Sequence, residues 1–431
     1  MVRATSLPVE AQAHSACPAN VMQWPSGLTA IHQPVPATPV VVADVWVQAG
    51  SRREPAQWLG MAHFLEHMIF KGTERIAPGA FDRAIEQRGG TANAATSHDY
   101  AHFFITAAAT DIERTLPELA ELLLHARIPE GEFDCERDVV LEELNGCHDD
   151  PDWWGFQALC ESLYPHHPYG RPILGTAERL QAHSPEDMRR FHRAHYQPEN
   201  VSVALVGGIE QQRARALIES AFSAFAPRSE APPVAIEPDP PLATIRRQQI
   251  RSSRIEQARL LMGWRGPGTD CLDDAVGLDV LSALLGEGRS SRLVQELREQ
   301  KQLVQDIGCE FSLQRDSSLI AICTLLPLEH AEAVEAIVRD HLRQLQQVPV
   351  AAGELARAQR LLCNDYAFST ETPGQLAGLY GYYSTVARLE QATSYPHRLR
   401  QIGPQDLQRL AAQYLSPDRY AVTLVKPDPD A

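Results

Sequence analysis

The 431-residue sequence has no apolar run of the roughly 18 residues that a bilayer-spanning helix needs, so no membrane span is expected. It also lacks a basic start followed by an apolar stretch. Residues 1–20 are small and polar and do not read as a secretory signal, which makes a cytoplasmic location the expectation. Its eight cysteines are scattered, with no Cys-x-x-Cys pair, so free thiols in a reducing compartment are expected and no metal is assigned to them. Basic residues are outnumbered, with 39 Lys and Arg against 55 Asp and Glu and a net charge of -16. Such a chain has nothing broad to neutralise phosphates, which argues against a nucleic-acid partner. The glycine-rich stretch 286–291 (GEGRSS) lacks Gly-Lys-Ser/Thr, so a phosphate loop is not expected either.

What is present is a globular balance, 44% apolar and 22% charged, in a chain too long for one ordinary core. A cluster of proline and charge over 227–241 (PRSEAPPVAIEPDPP) reads as a linker. It divides the chain into an N-terminal domain over 1–226, a linker over 227–244 and a C-terminal domain over 245–431. The halves look like repeats. Residues 184–191 (SPEDMRRF) match 403–410 (GPQDLQRL) without a gap, each a small residue followed by proline at a helix start. Each segment then reaches a tyrosine (Tyr196, Tyr414), a proline (Pro198, Pro417) and an alternating apolar run, 201–206 or 420–425, read as a strand. Further strands are expected over 40–47, 100–107, 260–263 and 317–326. Helices are expected over 58–70, 130–145, 273–285 and 329–346, and a capping box at Thr115-Leu116-Pro117-Glu118 should open another. Two homologous α+β domains follow, each a mostly antiparallel sheet with helices on one side.

The chemistry concentrates in His63-Phe64-Leu65-Glu66-His67, within the helix expected over 58–70. Positions i and i+4 share a helical face, so both imidazoles can reach one ion. Zinc takes His nitrogen readily and keeps one position for water in a catalytic site. Glu66, beside His67, can take a proton from that water during attack on a carbonyl. Two helical histidines with a salt-bridging glutamate is the plainer alternative. Against it, a helix that also carries Phe64, Leu65, Met68, Ile69 and Phe70 has little reason to place three polar residues on one face. The helix over 130–145 offers Glu132, Glu136, Glu142 and Glu143 as a third ligand. Glu136 and Glu143 are two turns apart and share a face, but periodicity does not separate Glu142 from Glu143.

Three segments in order carry a family resemblance: 63–73 (HFLEHMIFKGT), 89–94 (GGTANA) and 136–143 (ERDVVLEE). The chain resembles the pitrilysin/insulinase family of zinc peptidases, in its short two-domain branch similar to mitochondrial processing peptidase. The resemblance implies a zinc-dependent endopeptidase with one Zn2+ per chain, acting on peptides or unfolded segments inside a chamber of which each chain forms half a clamshell. It implies metal ligands at His63, His67 and Glu143, the base at Glu66 and a supporting carboxylate at Glu136. It also implies an edge strand at Asn93 and Ala94, where substrate main chain adds as an extra strand.

Some family positions are altered. Ser282 and Gly286 stand where a second pair of histidines would fall, so the second half is a degenerate copy. The family's substrate-steadying arginine falls on Arg298, but its tyrosine falls on Gln305. The acidic pair used by members that cut near arginine falls on Trp153 and Gln157, so that specificity is not carried over. The incomplete Arg/Tyr pair leads to the expectation of a heterodimer with a related chain lacking the zinc motif, with a homodimer as the alternative. A non-catalytic structural or core subunit is the rival reading for the whole chain.

Overall fold

The computed structural model describes residues 18–428 apart from residue 235. The reading of the chain start as lacking a secretory signal falls mostly on residues 1–17, outside the described residues.

Two sheets organise the chain. The first contains β1 (Asn20–Gln23), β2 (Thr29–Pro34), β3 (Val40–Val47), β4 (Thr91–Thr96), β5 (Ala101–Ala108) and β6 (Val201–Gly207), in the order β1-β2-β6-β3-β5-β4. The second contains β7 (Arg246–Ser252), β8 (Ala258–Pro267), β9 (Asp306–Leu313), β10 (Ser317–Leu326) and β11 (Ala421–Pro427), in the order β7-β11-β8-β10-β9. Among the described residues β2/β6 and β7/β11 pair in parallel and the other pairs are antiparallel. The second order reproduces the first once β1 is removed, so the repeat read from the sequence is a repeat of topology. The chain has two α+β domains.

Strand alternation sorts the faces. Val41, Ala43, Val45 and Val47 of β3 face a helical layer and join the first core, with Phe64, Leu65 and Leu119. Leu260, Met262 and Trp264 of β8 do the same in the second half. The intervening residues meet helices exchanged between the halves. Val42, Ala204 and Val206 pack on the helix Pro373–Val386 through Ala377 and Tyr380. Leu261, Leu319 and Val425 pack on the helix Pro151–Leu163 through Leu159 and Leu163. Each sheet thus has its own helical layer on one face and a helix lent by the other half on the second. The exchange leaves little tolerance: a Cβ on Gly155 would lie 2.9 Å from Val425, and one on Gly381 would fall onto the Trp46 indole.

Two local expectations change. The helix expected over 58–70 is Met61–Ile69, preceded by a 3-10 turn Ala56–Trp58. Gly60 breaks the run at φ +88°, where a Cβ would meet Leu174 and Gly175 backbone. Thr115 is not a cap: the helix Ile112–His125 begins a turn earlier, and the Thr115 hydroxyl donates back to the Asp111 carbonyl. The local signal yields because Ile112, Thr115 and Leu116 are all buried under the sheet.

Candidate metal centre and edge strand

The helix Met61–Ile69 buries Met61, Ala62, Phe64, Leu65, Met68 and Ile69, which leaves His63, Glu66 and His67 on its other face. Its start is held by Glu54, a fully buried acid whose carboxylate accepts from the Gly60 and Ala62 N–H groups at 2.8 and 2.7 Å. Those are donors that a helix start leaves without partners. Burial outweighs the two bonds and pushes Glu54 up to about 8. In the sequence Glu54 sits in a charged Ser-Arg-Arg-Glu-Pro stretch and looks like surface; only its spacing before a helix start could have hinted at this role.

The helix Glu130–His148 crosses this face. His63 Nε2 lies 3.6 Å and His67 Nε2 3.4 Å from Glu143 Oε2. The three donor atoms lie within 4.8 Å of one another, and Glu142 is not among them. A tetrahedral zinc with nitrogen and oxygen donors at about 2.0–2.2 Å spaces those donors by roughly 3.3–3.6 Å. Both separations from Glu143 match that spacing, and the third lies within 4.8 Å, so this cluster has zinc-binding capacity. Burial, and then the His67 charge, push His63 down to about 4, which keeps its imidazole neutral as a metal requires. Glu136, nearly buried behind His67, holds the Nδ1 edge of that ring at 2.9 Å and turns Nε2 towards Glu143. Lys71 closes on the other Glu136 oxygen at 2.5 Å.

Glu66 is not among the clustered donors. Its Oε2 accepts from the Thr96 hydroxyl at 2.5 Å, and burial raises its pKa. Thr96 ends β4, which lies at the sheet edge and among the described residues pairs with β5 alone. Sequence reasoning found Asn93 and Ala94 on this strand but not Thr96. Asn93 is exposed, and its side chain accepts from the Ala94 N–H, while Ala94 rests against the first core. Arg298 is not brought to this site: it ion-pairs with Glu299 and Asp306 within the second half. Gln305 is exposed at the start of β9. Trp153 lies tilted against His148 and packs on the first core, whereas Gln157 is tied to the Gly170 carbonyl.

A helix carrying His-x-x-Glu-His, completed by a glutamate from a second helix, defines a zinc metalloprotease of inverted motif. Residues 30–177 match the family described as insulinase (peptidase family M16), and residues 183–362 match the peptidase M16 inactive domain. The uncharacterized zinc protease ML0855 of Mycobacterium leprae is 32% identical over 320 residues, covering 73% of this chain and 70% of that one. The zinc protease PqqE of Helicobacter pylori is 29% identical over 406 residues, covering 93% and 91%. The crystal structure of a protease from Helicobacter pylori superposes with TM-score 0.89 at 27% identity, covering 95% of this chain and 99% of that one. The chain belongs to the insulinase (peptidase M16) family, and it is a zinc metalloprotease by class.

The expected cytoplasmic location is corrected by two further structures of this fold. Both are of the periplasmic protease PqqL from Escherichia coli, at TM-scores 0.79 and 0.77 and 20% identity. The fold therefore works outside the cytoplasm. The cysteines do not mark a reducing compartment either: among the described residues all are free, and Cys160 and Cys309 are buried as small apolar groups, a state open to a thiol in either compartment. No helix among the described residues is long and apolar enough to cross a membrane.

Proposed function

We propose that the chain hydrolyses peptides or unfolded segments, holding one zinc ion through His63, His67 and Glu143, with Glu66 as general base and Glu136 orienting His67. The observation that carries this reading is the convergence of two imidazoles and one carboxylate, their donor atoms within 4.8 Å of one another, with Glu66 beside them and outside the donor set. Bound zinc supplies Lewis acidity to a carbonyl oxygen and acidifies water. Glu66 accepts the proton of the attacking water and returns it to the leaving amine, and its raised pKa brings it closer to working pH for both transfers. Thr96 restrains the rotation of that carboxylate. Substrate main chain adds along the open edge of β4 past Asn93 and Ala94, an edge with no strand on it among the described residues. The reading takes 1–226 and 245–431 as its two units, joined by 227–244. This is supported by the absence of helix or strand between Ala221 and Arg246 among the described residues, and qualified by the helix exchange.

The same reading pairs this chain with a second, related chain lacking the zinc motif. Two facts support it. This chain corresponds to 47% of the longer PqqL chain, so that protein has room for two such units. And Arg298 lies in the second half with Gln305 where the family tyrosine would stand. The partner would supply an intact pair facing the zinc site; a homodimer would present Gln305 instead. The test assays quenched peptides with the chain alone, mixed with such a paralogue, and as Glu66→Gln, with zinc measured in parallel. Zinc-loaded protein that cleaves nothing in any mixture would replace this reading with that of a non-catalytic subunit. Full activity of the lone chain, unaffected by the paralogue, would remove the heterodimer.

A further inference from the structure

A pocket of about 330 Å³ lies between the helix Leu272–Gly286, the helix Ala352–Phe368 and the end of β9. It lies beside the place in the second half that the metal cleft occupies in the first, towards the start of the helix Leu272–Gly286, and Ser282, Leu285 and Gly286 are not in its wall. The displacement that carries Ser184 onto Gly403 carries Glu143 onto Leu362, which lines this pocket. Four tyrosines, Tyr366, Tyr382, Tyr383 and Tyr395, and two acids, Asp279 and Asp365, stand in a wall that is otherwise mainly apolar. Among the described residues lining it there is no lysine, arginine or histidine.

Asp279 is the unusual member. Its carboxyl receives a hydrogen bond from the Tyr395 hydroxyl. The charged groups acting on it, Glu287 and Asp365, are both acidic, and burial together with those charges pushes it up to about 7. A carboxylate in such a place is costly unless a cation joins it. The rings supply the rest of a cation site: Tyr366 and Tyr395 lie 5.8 Å apart at 31°, and Tyr382 meets Tyr383 edge-on at 5.4 Å. Ring faces attract a positive group, and more so where water is excluded. The volume suits one side-chain-sized cation rather than a peptide segment.

We propose that this pocket binds an organic cation, a guanidinium or alkylammonium group, among the tyrosine rings with Asp279 as its counter-ion. Two sources share that chemistry: a basic side chain of the bound peptide, or a free small amine. The first is within reach of the substrate path, because Tyr382 stacks edge-on at 6.0 Å with Tyr100 in the hairpin joining β4 to β5. Only that source rests on the peptidase reading; the pocket itself does not.

The test is calorimetric titration of the full chain with n-butylguanidinium and with its neutral analogue n-butylurea. The cation should bind saturably and the urea should not. Asp279→Asn should weaken the cation at least about tenfold, as loss of a buried counter-ion does. Asp365→Asn, at an exposed position that leaves folding secure, should weaken it by a smaller factor. Equal binding of the urea, or cation binding undiminished in both variants, overturns the proposal. Steady-state kinetics then separate the sources. If the peptide fills the pocket, Asp279→Asn raises KM for an arginine-containing peptide relative to its citrulline counterpart. If a free amine fills it, that ratio stays at the wild-type value while butylguanidinium binding is lost. Because the calorimetry needs no turnover, a zinc-loaded chain that binds the cation yet cleaves nothing, alone or mixed with the paralogue, refutes the peptidase reading and leaves the pocket standing.

Discussion

The helix Met61–Ile69 and its counterpart Leu272–Gly286 occupy the same place on matching sheets and do opposite things. In the first, His63, Glu66 and His67 keep a polar gap open against Glu143 and the edge strand. In the second, the matching positions are Ser282, Leu285 and Gly286, and the glutamates of the crossing helix become Leu355 and Leu362. The gap closes where it faces β9: the Ser282 hydroxyl donates to the Cys309 carbonyl at 2.8 Å, and a Cβ on Gly286 would lie 2.2 Å from the Cys309 nitrogen. Leu285, Leu355 and Leu362 are buried in the second core. The framework alone therefore does not make a metal site. Side chains that hold helix and strand apart make one half a peptidase centre, and their removal makes the other half a packed support.

The comparison breaks most sharply at Glu66. Glu66→Gln should retain zinc and lose roughly 100-fold or more in turnover, because the amide cannot accept a proton. Turnover above a few per cent of wild type at equal zinc content would show that the first half does not depend on that base. Next comes Glu136→Gln, which leaves all three donors in place but loosens His67. Zinc affinity should fall by about 10- to 100-fold, read by competition with a chelator, while the circular dichroism stays native. Unchanged affinity would leave the contrast between Glu136 and Leu355 without chemical meaning.

The support half should respond in stability instead. Gly286→Ala forces a methyl into β9 backbone and should cost about 1–3 kcal/mol in denaturant unfolding, with zinc content unaltered. A neutral result would mean that helix and strand are not in contact there. An effect of similar size, spread over a pH range, is in titration. Buried histidines concentrate in the first half, and His192, with its Nε2 on the Leu123 carbonyl, is pushed by burial down to about 4 from 6.5. Between those values the unfolded chain binds a proton that the folded one refuses, so stability falls as pH drops from about 6.5 to about 4 and levels off below. His192 contributes up to roughly 3 kcal/mol of that loss, and His192→Gln should flatten the slope in unfolding curves recorded across that range.

Much of this was legible because it is local. β3 and β10 have the bounds expected for them from the sequence, and the two proline-started helices, Pro185–His195 and Pro404–Tyr414, sit where the repeat put them. The His-x-x-Glu-His spacing and the two-turn spacing of Glu136 and Glu143 put the right groups on the right faces. What stayed hidden depends on contacts remote in sequence. Glu142 and Glu143 separate only once the two helices cross. Thr96 reaches Glu66 across 30 positions, and the exchange of helices between halves leaves no periodic trace. Glu54 and Asp279 look like ordinary surface acids until the chain closes over them.

Zinc-edge anomalous diffraction from crystals of the metal-loaded chain tests the central contrast most directly. The account predicts one strong peak per chain, bounded by His63, His67 and Glu143, and none between the helix Leu272–Gly286 and β9. A peak held by Glu142 in place of Glu143, or a second peak of equal height in the other half, would contradict it.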